Sequence, residues 1–158
     1  MISDRLSKLL IEQVGHELRA HQLYMAISTY FDRQSLTRWA KLYRDQSVEE
    51  AGHATKIMDF LTDNSVSFDI PALKSASTRF GSAAAAVETA LDSEVKVSKQ
   101  FQEMSSTAQT EGDHTSYQFL QWFIEEQVEE ERKAQSLLDL VNSGINLFQA
   151  EPLLDQFE

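Results

Sequence analysis

Cysteine is absent from the 158 residues. That excludes disulfides, thiolate zinc sites, iron–sulfur clusters and a cysteine nucleophile. Proline occurs twice and glycine five times, so little in the chain interrupts long helices. Bases are scarce: 14 Lys and Arg face 25 Asp and Glu, for a formal net charge of −11. Binding to nucleic acid needs a basic face, so no nucleic-acid partner is expected. An acidic surface suits solubility or the attraction of cations. No apolar run approaches the roughly 20 residues of a membrane span, so no membrane partner is expected either. The N-terminal Met1-Ile-Ser-Asp-Arg-Leu-Ser-Lys lacks the apolar stretch of a secretory signal, and cytoplasm is the expected location.

What is present is helical periodicity. The length suits one domain over residues 1–158, with a single sizeable core. Apolar spacing and capping residues predict four long helices, near residues 3–31, 36–62, 78–110 and 114–142. A short fifth helix is expected over about 145–157, interrupted by Pro152. The first and third connections are short and imply antiparallel neighbours. The second, of about fifteen residues, reaches ~50 Å when extended. A helix of about 27 residues is ~40 Å long, so this link can run the full length of the bundle. The second and third helices are then parallel. The expected fold is all-α, a four-helix bundle with one long crossover.

Each helix carries acids or a histidine on its apolar line. In Leu10–Val14–Glu17–His21–Tyr24–Phe31 it is Glu17; in Tyr43–Glu50–His53–Ile57–Phe60, Glu50 and His53. Glu94 lies on Val87–Leu91–Glu94–Phe101, and Gln127 and Glu130 on Leu120–Phe123–Gln127–Glu130–Ala134–Leu137. These spacings of three, four and seven belong to one helix face. A lone glutamate on such a seam is more often a partly exposed or ion-paired acid than a ligand. The set is different, because no Lys or Arg lies on the same lines. Two carboxylates ~5 Å apart repel by ~3 kcal/mol at an effective dielectric of 20. They can share protons, or a divalent cation can relieve several at once. Glu50-Ala51-Gly52-His53 puts a carboxylate and an imidazole three residues apart, within reach of one ion. Oxygen donors with one imidazole suit iron or manganese, with zinc as a competitor. Glu50, beside His53 and facing both groups of acids, is the natural bridge of a metal pair.

These residues also resemble a family. His16-Glu17-Leu18 with Tyr24 seven residues after Glu17, Glu49-Glu50-Ala51-Gly52-His53-Ala54, Glu94, and Gln121-Trp122-Phe123-Ile124-Glu125-Glu126-Gln127-Val128-Glu129-Glu130 are similar to the bacterial non-haem ferritins, of the ferritin-like di-iron family. The resemblance covers nearly the whole chain. It implies a ferroxidase that oxidises Fe²⁺ with O₂ or peroxide at a di-iron centre and stores the product in a cage of twenty-four like subunits. It places the first iron at Glu17, Glu50 and His53 with Gln127 close by, and the second at Glu50, Glu94 and Glu130. A third, inner-surface site maps onto Glu49, Glu126, Glu129 and Glu130. Tyr24 corresponds to a tyrosine beside the di-iron centre, a candidate electron donor; a core tyrosine is the competing reading.

The chain departs from patterns found in these families at three positions. Gln46 stands where some bacterial relatives carry a histidine near the third site. Gly52 stands where bacterioferritins offer an axial methionine, and Glu130 where they carry a histidine, so no haem is expected. Two other readings compete with the ferritin: another di-metal oxidoreductase, such as a manganese catalase-like or rubrerythrin-like enzyme, and a metal-free helical interaction module. A DNA-protecting mini-ferritin fits less well, since that family builds its site between subunits. The apolar tail residues Leu147, Phe148, Leu153, Leu154 and Phe157 predict burial at a subunit junction. The resemblance also implies a three-fold pore near the start of the fourth helix, where Tyr117, Gln118, Leu120 and Gln121 are uncharged: either that pore is a poor cation route, or Glu111 and Asp113 at its mouth suffice.

Overall fold

The computed structural model describes all 158 residues. Four long helices form it: α1 (Asp4–Asp32), α2 (Thr37–Asp63), α3 (Ala83–Thr110) and α4 (His114–Asn142). A single-turn α5 (Leu147–Ala150) runs straight into a 3-10 helix over Glu151–Phe157. No strand is present, and no helix is long and apolar enough to cross a membrane.

Local chemistry explains most helix ends. The Ser3 hydroxyl accepts from the Leu6 amide at 3.1 Å and starts α1. Asp113 accepts from the Ser116 amide at 2.9 Å and starts α4. The turn between α3 and α4 passes through Gly112 at φ +69°, a left-handed conformation that glycine adopts without a Cβ clash. Helix α3 begins five residues later than the spacing predicts. Ser82 is the cap, accepting from the Ala85 amide at 3.0 Å. Residues 78–81 instead stay outside the helix, and Phe80 packs edge-on against Tyr30, with ring centroids 5.6 Å apart. Gly81, a poor helix former, separates that packed ring from the cap.

Helix α2 has no side-chain cap of its own, because Leu36 occupies the cap position. A carboxylate 113 residues away replaces it: Glu151 Oε2 accepts from the Arg38 amide at 2.6 Å and the Trp39 amide at 3.3 Å. The same tail accepts from the Trp39 indole at the Leu147 carbonyl, 3.0 Å, and pairs Asp155 with Arg38. Thus the tail folds back on its own bundle and buries Ala150 and Leu154, while Phe148 and Leu153 stay exposed. Glu151→Ala should cost about 1 kcal/mol, as loss of a helix cap does. Thermal melting would register that loss, and protease cleavage after Gly144 should speed up; an unchanged melting point would show that water caps α2 equally well.

Hydrogen bonds fix the directions. His21 with Ser47 and Ser28 with Ala40 run α1 against α2. Gln127 with Glu94 and Gln121 with Ser105 run α3 against α4. Ser3, at the start of α1, donates to Glu111 just past the end of α3. Helix α1 is therefore antiparallel to both α2 and α3, so α2 and α3 are parallel, joined by the crossover over residues 64–82. Gly15 lets this crossover approach: a Cβ there would lie 3.0 Å from Pro71 Cβ.

The apolar core is split in two. One cluster gathers Tyr24, Ile27, Phe31, Trp39, Tyr43, Val87 and Leu137. The other gathers Leu6, Leu10, Val14, Ile57, Leu61, Phe101, Met104, Leu120 and Phe123. Between them lies a polar layer to which all four long helices contribute.

Candidate metal centre

The layer consists of Glu17 from α1, Glu50 and His53 from α2, Glu94 from α3, and Gln127 and Glu130 from α4. None is more than 7% exposed. Such burial is costly for acids unless something compensates them. Two groups of three form within it. Glu17, Glu50 and His53 have ligand atoms within 4.8 Å of one another, and so do Glu50, Glu94 and Glu130. Glu50 belongs to both. The two oxygens of one carboxylate can therefore face two ions.

A ring of donors orients these carboxylates. Gln13 Nε2 donates to Glu17 Oε1 at 2.9 Å. The Tyr24 hydroxyl donates to Glu94 Oε1. Gln127 Nε2 donates to Glu94 Oε2 at 3.0 Å and to the Ser98 hydroxyl at 3.1 Å. His53 Nδ1 sits 3.2 Å from Glu50 Oε2 and 3.7 Å from Glu17 Oε2. Glu17 Oε2 is buried without a hydrogen-bond partner, a condition that a bound cation satisfies and that native interiors otherwise avoid. The donor set and this orphaned oxygen fit a divalent metal.

Proton affinities reflect the crowding. Burial, followed by the Glu50 charge, pushes the Glu94 carboxyl up to about 7. Burial, followed by Glu94 and Glu50, pushes Glu130 up to about 8. Glu50 is also raised, by burial first and then by Glu17, against an opposing hydrogen bond from His53. Burial alone would lower His53, but hydrogen bonding and charge from Glu17 and Glu50 outweigh it and push the imidazole up to about 10. His53 is thus an imidazolium in the metal-free protein and serves as an internal counter-charge. Burial and the Glu94 and Glu50 charges raise the Tyr24 phenol well above its usual value.

A model of the ferritin-like domain matches residues 7–143. The chain is 35% identical to a ferritin BfrB of Mycolicibacterium smegmatis, over 95% of this chain and 83% of that protein. It is 33% identical to a bacterial non-heme ferritin of Staphylococcus haemolyticus, over 90% of this chain and 86% of the relative. The crystal structure of an open pore ferritin from the archaeon Archaeoglobus fulgidus superposes with a TM-score of 0.91 at 31% identity, covering 99% of this chain and 96% of that one. The chain belongs to the ferritin family.

In this ferritin the six residues expected at the paired centre are brought together. Tyr24 lies against them, hydrogen-bonded to Glu94 and stacked on Tyr43 with ring centroids 5.9 Å apart. The expected inner-surface group is looser. Glu49, Glu126, Glu129 and Glu130 line one cleft of about 490 Å³, shared with Arg132, Lys133 and the tail residue Glu158. Yet Glu49, Glu126 and Glu129 do not close into a group of ligand atoms as the other two sets do. Glu49 and Glu129 are exposed. The Gln46 amide, expected only to mark a missing histidine, points inward instead: it donates to Glu50 Oε1 at 3.0 Å and to Glu130 Oε2 at 2.7 Å. Lys133 donates to the Gln46 oxygen at 2.9 Å, so a base off the apolar lines does reach the acids. Gln13, Gln46 and Lys133 join the centre although none of them lies on the apolar lines. Their spacing from it was legible: Gln13 and Gln46 lie four residues before Glu17 and Glu50, and Lys133 three after Glu130.

Proposed function

We propose that this ferritin is a ferroxidase and iron store. Two Fe²⁺ ions are its substrates, held as a pair by Glu17, Glu50, His53, Glu94 and Glu130. The observation that carries the reading is the pair of buried three-residue groups joined through Glu50. Each Fe²⁺ gives up one electron to O₂ or peroxide, and the metal supplies the redox chemistry. The protein supplies position and charge. Glu50 bridges; Glu17 and His53 complete one position, Glu94 and Glu130 the other. Gln127, whose amide also donates to the Ser98 hydroxyl, holds Glu94 in orientation. Tyr24, whose hydroxyl donates to Glu94, is the candidate donor of one further electron to O₂, with its proton passing to Glu94. Ferric product leaves past Glu49, Glu126 and Glu129 toward a cavity where it mineralises.

That cavity needs a closed assembly, and the proposal includes a cage of twenty-four copies. Exposed Met25, Val48, Ile70, Val128, Phe148 and Leu153 provide apolar surface for subunit junctions. Gly52 offers no thioether, and the proposal includes no haem. Glu111 accepts from Ser3 and Asp113 caps α4; both acids are thus engaged in holding helix ends, which favours an iron route other than a funnel at that turn. The proposed location is the cytoplasm.

The test is an anaerobic Fe²⁺ titration of metal-free protein, followed by exposure to O₂ and native mass measurement. Two tight Fe²⁺ per subunit, rapid oxidation on oxygen exposure and a mass near twenty-four subunits are expected. Retention of manganese with peroxide turnover but little iron oxidation would point to the catalase-like reading, and no metal uptake to an interaction module.

A further inference from the structure

Gln46 makes contacts that its place in the ligand pattern does not explain. Its amide nitrogen stands between Glu50 Oε1 and Glu130 Oε2, at 3.0 and 2.7 Å. Those carboxylates, with Glu94, form one of the two buried three-residue groups. The donor therefore lies against the oxygens that a cation at that group would use. Lys133 Nζ holds the other end of the carboxamide at 2.9 Å. This fixes the orientation: the ammonium has only donors, so it takes the amide oxygen and turns the nitrogen toward the acids. A small cavity of about 10 Å³, whose lining includes Gln46, Lys133, Glu130, Tyr24 and Tyr43, lies beside the carboxamide. At the first group Gln13 Nε2 donates to Glu17 Oε1 at 2.9 Å, but no ammonium fixes that carboxamide, and the Glu17 Oε2 atom has no hydrogen-bond partner.

We infer that Gln46 and Lys133 form a latch over the second cation position, a pair of positioning residues that make this position the weaker of the two. The inference rests on the paired-cation reading of the centre. Without metal, the amide N–H groups and the Lys133 charge substitute for the second ion and hold Glu50 and Glu130 together. When a cation binds between those carboxylates, both hydrogen bonds must break and the new charge faces the ammonium. If Lys133 is removed, the carboxamide is free to turn its oxygen inward and become a ligand itself. The consequence is ordered loading: the first position fills and stays filled, while the second exchanges its ion, as a site that passes iron onward must.

The test is calorimetric titration of metal-free protein with Zn²⁺, which cannot be oxidised, so binding is read without turnover. Wild type should show two events per subunit of unequal affinity. A Glu17→Ala variant should lose the tighter event and so assign the weaker one to Glu50, Glu94 and Glu130. Lys133→Gln and Gln46→Leu should each tighten the weaker event about tenfold, with the tighter one unchanged. Lys133→Arg, which keeps the charge and donors, should resemble wild type. The metal-free Gln46→Leu protein should melt lower, because its carboxylates lose their donor. Two events in wild type with a weaker one that neither variant tightens would overturn the latch and leave the paired centre intact. Fewer than two events in wild type would overturn both.

Discussion

Glu50→Ala should abolish both cation positions at once. Glu50 is the residue shared by the two ligand groups, so its loss leaves Glu17 with His53 on one side and Glu94 with Glu130 on the other. Two ligands in place of three hold an ion poorly, and neither remaining set keeps the pair bridged. Tight Fe²⁺ binding should fall from two per subunit toward none. The initial rate of oxidation should fall by a factor on the order of 100 or more, the scale of a few kcal/mol of metal-derived stabilisation. Glu17→Ala, by contrast, should remove one position and spare the other. The metal-free Glu50→Ala protein should melt slightly higher than wild type, because a buried carboxylate that burial and Glu17 both disfavour is gone. Stopped-flow oxidation and anaerobic titration measure the first effect, calorimetric melting the second. Wild-type oxidation of the first two equivalents by Glu50→Ala would refute the bridge.

Cation uptake should strengthen steeply with pH and release protons. In the metal-free protein Glu94 is raised to about 7 and Glu130 to about 8, each by burial before charge, while His53 is raised to about 10. At pH 6 all three groups hold protons that an incoming cation must expel. By pH 8 Glu94 has released its proton and Glu130 is half ionised. Each displaced proton makes apparent affinity about tenfold stronger per pH unit. Zn²⁺ affinity of the Glu50–Glu94–Glu130 position should therefore rise by roughly two to three orders of magnitude from pH 6 to 8. Calorimetry in buffers of different ionisation heat would count the protons released.

Stability of the metal-free protein should move the other way. Glu94 and Glu130 bind protons more tightly folded than unfolded, so their stabilising contribution is lost as pH rises through about 7 and 8. His53, also raised, stabilises fully below its ordinary value of 6.5, and that contribution is lost as pH rises through about 10. The melting temperature should thus fall from pH 6 to 9 without metal, and Zn²⁺ should flatten the fall by replacing the lost protons. A metal-free melting temperature that is level across this range would mean that the carboxylates are paired in some other way.

The four long helices and the residues of the buried polar layer were legible in the sequence for one reason. A helix repeats its face every three or four residues, so Glu17, Glu50, His53, Glu94, Gln127 and Glu130 announce themselves as polar breaks in apolar lines. Periodicity within one helix also foretells which residues share a face, and crossover length foretells which helices can run parallel. It does not say which atoms meet across helices. That Glu151 would cap α2, that Gly15 would admit Pro71, and that Gln46 and Lys133 would meet over Glu50 and Glu130 are outcomes of packing. Each joins residues from separate elements, whose distance is set by how side chains interlock and not by chain spacing. The late start of α3 has a similar origin, since the Tyr30 ring from α1 holds Phe80 outside the helix. Sequence alone thus determined that acids would crowd one buried layer. The tertiary structure decided how that layer is held without metal: by the His53 imidazolium from inside, and by an amide and an ammonium from α2 and α4 at the second position. Electrostatic balance among buried groups depends on distances of a few ångströms, and only the folded chain sets those.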